Sequence, residues 1–302
     1  MYTRCMIGNQ VVNKIIDYIC VNLEKDISVD DIAVFSGYSK FYISRLFRQE
    51  TGESIYGFIK RAKIEQSAIR LKIEKNKSIT EIGECYGYSS CNFSTLFREH
   101  FRQPPNKFRK RITEETRNRL YYTGFDEKPE TYLECCKKIT IENLPDYFVL
   151  YERQKSNYNN MPSLWANFIE CYKEFITPKT VFINRTKDDP EITDPDNCIY
   201  ELCMTVDKND SRITAQKTAA AGTTSRCSAP TGINTMAIQG GKFAVYHYKG
   251  YLQKIYAAYQ SLFSNWLIES GNELDSRYGF DIYRFFDRKT MYMELDICIP
   301  IK

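Results

Sequence analysis

A twelve-residue segment occurs twice in the chain, fifty residues apart. GYSKFYISRLFR begins at Gly37 and GYSSCNFSTLFR begins at Gly87, and the two copies are identical at seven of the twelve positions. Such a repeat predicts two copies of one small structural unit, because each copy must bury the same apolar positions to be stable.

A helix-start signal precedes each copy. Ser28 and Ser78 are each followed three residues later by an acid, Asp31 or Glu81, which is the pattern of a capping box. The glycine that opens each copy then stands where the helix must end in a left-handed turn. A helix, a tight glycine turn and a second helix together predict a helix-turn-helix motif.

The second helix of each copy keeps some positions and changes others. Apolar residues recur at spacings of three and four, as expected for the buried face of a helix. They are Ile43, Leu46 and Phe47 in the first copy and Phe93, Leu96 and Phe97 in the second. The residues that differ lie mostly on the other face, which is expected of two helices that read different base sequences. A duplicated helical bundle without a ligand is the alternative.

Length and charge favour two domains with different tasks. The 302 residues exceed the usual size of a single domain. Residues 1–112 contain 19 Lys and Arg against 12 Asp and Glu, a net charge of +7, and the remainder carries −3. This asymmetry indicates a nucleic-acid-binding module joined to a module with another task, although a solvated lysine-rich surface would give the same sum.

Cysteine and histidine usage argues against a metal site or a disulfide framework. The eleven cysteines include no C-x-x-C pair, and the two histidines are His100 and His247. An odd cysteine count cannot pair completely within one chain, so we expect the reduced thiols of a cytoplasmic protein. No apolar run is long enough for a membrane span or an export signal, and no motif indicates a cofactor.

Residues 9–112 resemble the DNA-binding domain of the AraC/XylS family of transcriptional regulators, in which a long helix joins two helix-turn-helix units. IAVFSGYSKFYISRLFRQETGESIYGFIKRAKIEQSAIRL corresponds to the first unit and the joining helix, and ITEIGECYGYSSCNFSTLFREHFRQPPNKFRK corresponds to the second unit. Two residues depart from the family pattern. Gly83 replaces a usual alanine, at a cost of about 1 kcal/mol in helix propensity, and Gln103 stands where glycine is common.

The resemblance implies that the second helix of each unit enters a major groove of double-stranded DNA. The implied DNA-binding residues are Phe41, Tyr42, Arg45 and Arg48 in the first unit and Ser90, Cys91, Asn92, Thr95 and Arg98 in the second. Arg45 is expected to bind guanine, because a guanidinium can bond two acceptors of that base at once. Arg48 and Arg98 are expected to contact phosphate, and a surface ion pair is the alternative for each.

A linker and a second domain follow. Residues 113–138 are polar and contain Gly124 and Pro129, which predicts a linker with one short helix. From residue 139 to 302, strand patterns alternate with two helices, MPSLWANFIECYKEFI and LQKIYAAYQSLFSNWLIES. The predicted strands are ITIENLPDYFVLYERQ, CIYELCMTVD, GGKFAVYHYKG and MYMELDICIPIK. The order predicts an internally duplicated α+β domain with an antiparallel sheet, after an all-α domain at residues 1–112.

Residues 139–302 resemble the gyrase-inhibitor-like (GyrI-like) effector domain that many transcription activators use to bind organic ligands. The resemblance rests on Gly240-Gly241 before KFAVYHYKG, on Trp266-Leu267, on FDIY from Phe280 to Tyr283 and on the closing ELDICIPIK. A glutamate that is common in the FDIY element is Asp281 here.

A ligand pocket for an amphipathic or cationic molecule needs aromatic walls and a carboxylate. The aromatic candidates are Trp165, Tyr246, Tyr248 and Tyr283. In the last strand, Leu295, Ile297 and Ile299 form an apolar face and leave Glu294, Asp296 and Cys298 on the other face. Glu294 and Asp296 are therefore the candidate pocket acids, and a wet sheet face is the alternative for both.

These patterns favour a ligand-responsive transcription regulator, not an enzyme. The expected partners are promoter DNA, RNA polymerase and a small organic ligand, and activation is the expected effect. Two alternatives stay open. The C-terminal domain could be a small-molecule hydrolase, although no nucleophile motif accompanies His247, or Cys91 could make the regulator sensitive to oxidation or alkylation. Two helix-turn-helix units in one chain also allow a monomer to read two half-sites.

Overall fold

A computed structural model of the chain describes residues 5–74, 76–118, 130–157, 160–189, 192–194, 197–213, 233–275 and 277–302. These residues form two compact units. Unit 1 comprises Met1–Glu115 together with the short segments Arg153–Ser156 and Asp188–Cys198. Unit 2 comprises Thr116–Glu152, Asn157–Lys187 and Ile199–Lys302.

Unit 1 is built from helices and one short strand, β1 (Cys5–Ile7). The helices are α1 (Gln10–Val21), α2 (Val29–Ser36), α3 (Lys40–Thr51), α4 (Ile55–Ile73), α5 (Ile79–Cys85), α6 (Ser90–Phe101) and α7 (Pro105–Asn118). The predicted helix starts are confirmed, because Ser28 forms a capping box with Asp31 and Ser78 forms one with Glu81. The glycine turns are confirmed as well, with φ values of 73° at Gly37 and 80° at Gly87.

Each helix-turn-helix unit has its own apolar core. Ile43 and Phe47 of α3 are fully buried, as are Phe93 and Phe97 of α6. Leu46 and Leu96, which the periodicity also placed inside, are half-buried. Several aromatic and aliphatic residues complete the core of the second helix-turn-helix unit, and they are Ile64, Ala68, Leu71, Ile82, Phe108 and Ile192.

The backbone corrects one assignment made from the family pattern. The left-handed residue after α6 is Arg102, with a φ of 56°, whereas Gln103 does not have a positive φ. Gly52 ends α3 at the equivalent position, fifty residues earlier, with a φ of 81°. In the second helix-turn-helix unit, the position that favours glycine is therefore Arg102 and not Gln103.

Unit 2 has a long sheet and helices on one of its faces. The strands are β2 (Ile139–Leu144), β3 (Tyr147–Lys155), β4 (Phe182–Thr186), β5 (Ile199–Thr205), β6 (Asn234–Ile238), β7 (Gly241–Tyr251), β8 (Phe280–Asp287) and β9 (Tyr292–Pro300). The last residues of β3, from Arg153 onward, count with unit 1. The helices are α8 (Tyr132–Cys136), α9 (Met161–Cys171) and α10 (Ile255–Gln260), and α10 continues through a π-helical stretch, Ser261–Trp266, to Leu267–Glu269.

The strand order confirms the predicted internal duplication. The sheet runs β3-β5-β4-β8-β9-β7-β2, and β6 pairs with β3. The elements β3, α9, β4, β5 and β7, α10, β8, β9 follow the same sequence along the chain, and their strands mirror each other about the β4–β8 pair. The pairs β4–β5, β4–β8, β8–β9, β7–β9 and β2–β7 are antiparallel, as predicted.

Two details of the predicted strands were wrong. ITIENLPDYFVLYERQ forms two strands that end and begin around Pro145, because β2 pairs with β7 while β3 pairs with β6. The strands β4, β6 and β8 were not predicted, since each is short or lacks a clear alternation.

In the predicted linker, α7 continues to Asn118 and α8 supplies the expected short helix, while residues 119–129 lie outside the described residues. The boundaries at 112 and 139 stay predictions.

The two faces of the sheet have different surroundings. We call the face that contacts α9 and α10 the helix face, and it carries Asn184 of β4, Asp281 and Tyr283 of β8, and Tyr246 of β7. The opposite face holds an apolar core with members from seven strands. They are Val149, Tyr151, Ile183, Cys203, Ile238, Phe243, Val245, Phe280, Ile282 and Cys298.

Candidate DNA interface and ligand site

The predicted DNA-binding side chains are exposed on α3 and α6. Phe41 is 78% exposed and Tyr42 is 37% exposed, although both are aromatic. The other exposed members of the set are Arg45, Arg48, Ser90, Cys91, Asn92, Thr95 and Arg98. Both helices begin with a serine cap, because the Ser39 and Ser89 hydroxyls each accept a hydrogen bond from one backbone N–H of the first turn. This arrangement leaves the N-terminal half of each helix free to enter a groove.

Two rows of side chains cross the helix face of the sheet. Asn184, Asp281, Ile297 and Tyr246 are register partners on β4, β8, β9 and β7. The neighbouring row consists of Phe182, Tyr283, Leu295 and Tyr248. Three of the predicted wall residues, Tyr246, Tyr248 and Tyr283, therefore lie on the same face.

Asp281 is a buried carboxylate at the centre of this face. Tyr259 of α10 donates a hydrogen bond from Oη to Asp281 Oδ2 at 2.6 Å, and Asn184 Nδ2 lies 3.4 Å from the same oxygen. Burial raises the pKa of Asp281 to about 6, although both hydrogen bonds act to lower it. The Oδ1 atom of Asn184 is also buried and has no hydrogen-bond partner among the described residues. The site thus holds a carboxylate and an unused acceptor away from bulk water.

Trp165 packs against the aromatic residues of the strands that carry this carboxylate and its partner Asn184. The ring of Trp165, on α9, lies 5.1 Å from the ring of Tyr283 and 6.0 Å from that of Phe182, measured between centroids. Burial, and then the nearby charge of Asp281, raise the pKa of Tyr283, so its phenol stays protonated at neutral pH. The helices of both repeats therefore converge on the β4–β8 pair, where an acid lies beside an aromatic cluster.

Tyr246 and Tyr248 are held by other groups. The Tyr246 hydroxyl donates to Glu130 Oε2 at 2.9 Å, and Lys138 forms an ion pair with Glu130 and lies over the Tyr246 ring. The Tyr248 hydroxyl donates to the Tyr251 carbonyl at 2.7 Å. Both tyrosines lie two strands from Asp281, which corresponds to about 10 Å across the sheet.

Glu294 and Asp296 lie on the opposite face from these aromatic residues. Glu294 is half-buried and its Oε2 lies 2.9 Å from Lys249 Nζ. Asp296 is buried and binds Arg284 and His247, each at 2.7 Å. The alternation predicted for β9 is correct, but the structure does not bring either acid to the aromatic residues, and a ligand role for each stays a prediction.

His247 has a hydroxyl neighbour that the sequence did not reveal. Its Nδ1 lies 2.7 Å from Asp296 Oδ1, and its Nε2 lies 3.0 Å from Thr140 Oγ1 on the adjacent strand β2. The same hydroxyl lies 2.5 Å from Glu142 Oε1, so His247 and Glu142 share it.

The ligand-site residues that sequence reasoning missed are Tyr259, Asn184 and Phe182. Tyr259 lies in a helix that was predicted. The apolar periodicity of that helix shows which residues face the sheet, but it does not show which of them bind a carboxylate there. Asn184 carried a weak signal, since it directly follows the apolar residues Val181, Phe182 and Ile183 and so falls at the end of a segment that could be buried. A buried amide needs a partner, so that position favours a polar site.

Comparison with known families agrees with both halves of this description. A helix-turn-helix domain family matches residues 32–111, and the family described as GyrI-like small molecule binding domain matches residues 137–302. The chain is an AraC-type DNA-binding regulator with a GyrI-like small-molecule binding domain. Among the residues that the structure describes, it contains no helix with the length and apolar character of a membrane span.

Two curated proteins and one solved structure are among those similar to parts or all of this chain. The multiple antibiotic resistance protein MarA of Escherichia coli (strain K12) is 37% identical over 98 residues, which cover 32% of this chain and 77% of MarA. The right origin-binding protein of the same organism is 20% identical over 301 residues, covering 93% of this chain and 94% of that protein. The C-terminal domain of AraT, a response regulator from Geobacillus stearothermophilus, has a TM-score of 0.33 and 28% identity, and covers 34% of this chain and 86% of that domain.

Proposed function

We propose that this regulator responds to an amphipathic organic cation, which binds unit 2 at Asp281 and changes how unit 1 binds promoter DNA. The observation that carries the proposal is the arrangement of side chains around Asp281. A buried carboxylate lies between Tyr259 and Asn184, near Tyr283, whose ring packs against that of Trp165.

The chemistry of this site favours a positive ligand. A buried carboxylate is costly when charged, and its raised pKa reports that cost. A cation beside it would offset the cost, and aromatic faces would add cation–π attraction of about 0.5–2 kcal/mol. A neutral ligand of the same shape would gain only the apolar and stacking contacts.

The expected action on transcription is activation through contact with RNA polymerase, in the cytoplasm where the promoter is found. This part of the proposal rests on the AraC-type family. A run-off transcription assay with purified polymerase tests it: the full chain and its ligand should raise transcript yield from a bound promoter. A fall in yield would make the protein a repressor.

The ligand proposal is tested with two probes of the same shape, phenyltrimethylammonium and tert-butylbenzene, titrated calorimetrically into the full chain. Asp281→Asn keeps the side-chain shape and removes the charge. We expect it to weaken binding of the cation by roughly 5- to 150-fold, because a hydrogen bond or contact to a charged group contributes about 1–3 kcal/mol. Binding of the neutral probe should change little.

Glu294→Gln is the matched control, because it makes the same chemical change on the opposite face. It should leave both probes unaffected. Loss of cation binding in Glu294→Gln with normal binding in Asp281→Asn would place the ligand acid on the wrong face and overturn the proposal. Neither probe has a bond that water can cleave, so the hydrolase alternative is tested separately with an ester, phenyl acetate, and its hydrolysis by the full chain would favour that alternative.

A further inference from the structure

The two recognition helices differ in which side chains remain available for base contacts. Positions fifty residues apart correspond, so Phe41, Tyr42 and Arg45 of α3 align with Cys91, Asn92 and Thr95 of α6. All six are exposed. The hydrogen bonds within each helix decide which of them can bind a base.

Most polar groups at the start of α6 already have partners. The Thr95 hydroxyl donates to the Cys91 carbonyl at 3.1 Å, within the helix. The Ser90 hydroxyl lies 3.3 Å from the Thr80 hydroxyl of α5. A side chain that is bonded to its own backbone or to a neighbour must give up that bond before it can contact a base.

Asn92 is the exception in this turn. Its backbone N–H donates to the Ser89 cap, whereas its side-chain amide makes no hydrogen bond with the described residues. Asn92 lies in the first turn of α6, the part of a recognition helix that meets base edges. A free planar amide there can donate to N7 and accept from N6 of adenine, and no other base offers that pair in the major groove.

The first recognition helix offers different chemistry. Arg45 is exposed and forms no ion pair with the described residues, so its guanidinium is available for O6 and N7 of guanine. The Phe41 ring is 78% exposed and has no polar atom, which suits contact with the methyl group of thymine.

Arg48 and Arg98 behave as a pair. They occupy the same position of the two repeats, and both are exposed. A residue that is identical in two helices facing different bases is suited to the phosphate backbone, which is the same at every site.

We propose that Asn92 is the specificity-determining residue of the second helix-turn-helix unit and that it recognises adenine. The operator would then combine a guanine-containing half-site for α3 with an adenine-containing half-site for α6, about one helical turn apart. This inference rests on the proposed DNA-binding function and names the base that it requires.

The test begins by selecting duplexes from a randomised pool with the full-length chain. The selected site should contain one fixed adenine in one half-site and one fixed guanine in the other. Replacing that adenine by 7-deazaadenine removes the N7 acceptor alone. A complete bidentate pair discriminates by roughly 5- to 150-fold, and this replacement removes one of its two bonds, so we expect it to weaken DNA binding by the wild-type protein roughly 2- to 12-fold.

Asn92→Ala should bind the adenine and 7-deazaadenine duplexes equally while keeping its preference for guanine. Arg45→Ala should lose the preference for guanine and should still bind the adenine duplex more tightly than the 7-deazaadenine duplex. Asn106→Ala, which removes an exposed asparagine of α7, is the control and should keep both preferences. Circular dichroism confirms that each variant folds.

The outcomes distinguish recognition of adenine by Asn92 from sequence-specific DNA binding by the chain. If Asn92→Ala still discriminates against 7-deazaadenine, Asn92 does not read that base and the inference is overturned, while DNA binding stands. If the wild-type chain selects no sequence from the pool, the proposed sequence-specific regulator fails, and the inference fails with it.

Discussion

The backbone of Gly83 lies against the ring of Phe93. A Cβ atom added at Gly83 would be 2.8 Å from Phe93 Cγ, closer than real Cβ atoms approach, and 3.0 Å from Phe93 Cδ1. The first unit holds Ala33 and Ile43 at the equivalent positions. Compared with the first helix-turn-helix unit, the second therefore has a smaller residue on α5, Gly83, opposite a larger residue on α6, Phe93. The size of the Phe93 ring is the reason that glycine is required at position 83.

Gly83→Ala should destabilise the chain although alanine is the better helix former. The gain in helix propensity is about 1 kcal/mol. The added methyl overpacks a fully buried ring that already contacts Phe97 at a centroid distance of 5.5 Å, and overpacking costs about 1–3 kcal/mol. We expect a net loss in the free energy of unfolding, measured by urea titration.

The double variant Gly83→Ala/Phe93→Ile provides the control, because it rebuilds the residue pair of the first unit. It should be more stable than the sum of the two single changes by about 1 kcal/mol or more. Simple additivity of the two changes would show that the ring and the glycine do not interact.

Arg102→Gly should stabilise the second helix-turn-helix unit. A residue other than glycine at a left-handed φ costs about 1–2 kcal/mol, and Arg102 is exposed, so little packing is lost with its side chain. The reciprocal change, Gly52→Arg, should destabilise the first unit by a similar amount. Thermal melting of both variants measures the effect, and equal melting temperatures would contradict the proposed strain.

Asp281→Asn should make the ligand-free chain more stable at neutral and alkaline pH. Burial raises the pKa of Asp281 to about 6 from an ordinary 3.8, so the folded chain binds this proton more tightly than the unfolded chain. The charged carboxyl therefore lowers stability above about pH 6, and this loss fades as the pH falls towards 4. The shift corresponds to about 3 kcal/mol.

The amide can be accommodated because Asn184 has an unused buried oxygen that can accept from it. Denaturant titrations between pH 4 and 8 should show that the advantage of Asp281→Asn shrinks as the pH falls. Glu294→Gln should be close to neutral at every pH, since its ion pair is partly exposed. An advantage that does not vary with pH would rule out the charge of Asp281 as its cause.

The sequence predicts local features well where one residue type decides them. The capping boxes at Ser28 and Ser78 follow from local hydrogen bonds between side chains and backbone, and the turns at Gly37 and Gly87 follow from the backbone freedom of glycine; the structure confirms both. The left-handed residue at Arg102 was misplaced by one position, because arginine gives no signal for that conformation.

The ligand site was harder to predict, because it depends on which face of a strand meets the helices. Alternation in β9 correctly separates Leu295 from Glu294, but it does not reveal that the aromatic residues share the face of Leu295. Asp281 is opposite Asn184 of β4 in the sheet, so the two side chains lie on the same face. This pairing could not be foreseen, because β4 had not been predicted. Register between strands that are distant in sequence follows from tertiary packing, which a single chain's pattern does not contain.

Ile192→Ala should destabilise unit 1, although Ile192 is more than eighty residues beyond α6 in the sequence. Ile192 is 7% exposed and packs with Phe93, Phe97 and Phe108 in the core of the second helix-turn-helix unit. Truncation of a buried isoleucine costs about 2–5 kcal/mol, and the residual exposure favours the lower end. Hydrogen exchange of α6 amides should become faster. Unchanged exchange would show that the segment Asp188–Cys198 does not support this core.

Arg153→Ala should be among the more damaging single changes in unit 1. The Arg153 side chain is fully buried, donates to the Asn13 carbonyl and side chain at 3.0 and 2.9 Å, and lies 2.6 Å from Asp17. Removing it leaves the buried Asn13 acceptors without these donors and opens a cavity, which together cost about 3–5 kcal/mol. Arg153→Met fills most of the volume without the charge and should cost clearly less, because Asp17 is partly exposed and can be solvated. Urea titration of both variants in the full chain separates the contributions: equal losses would assign the stabilisation to the hydrogen bonds, and a loss confined to Arg153→Ala would assign it to packing.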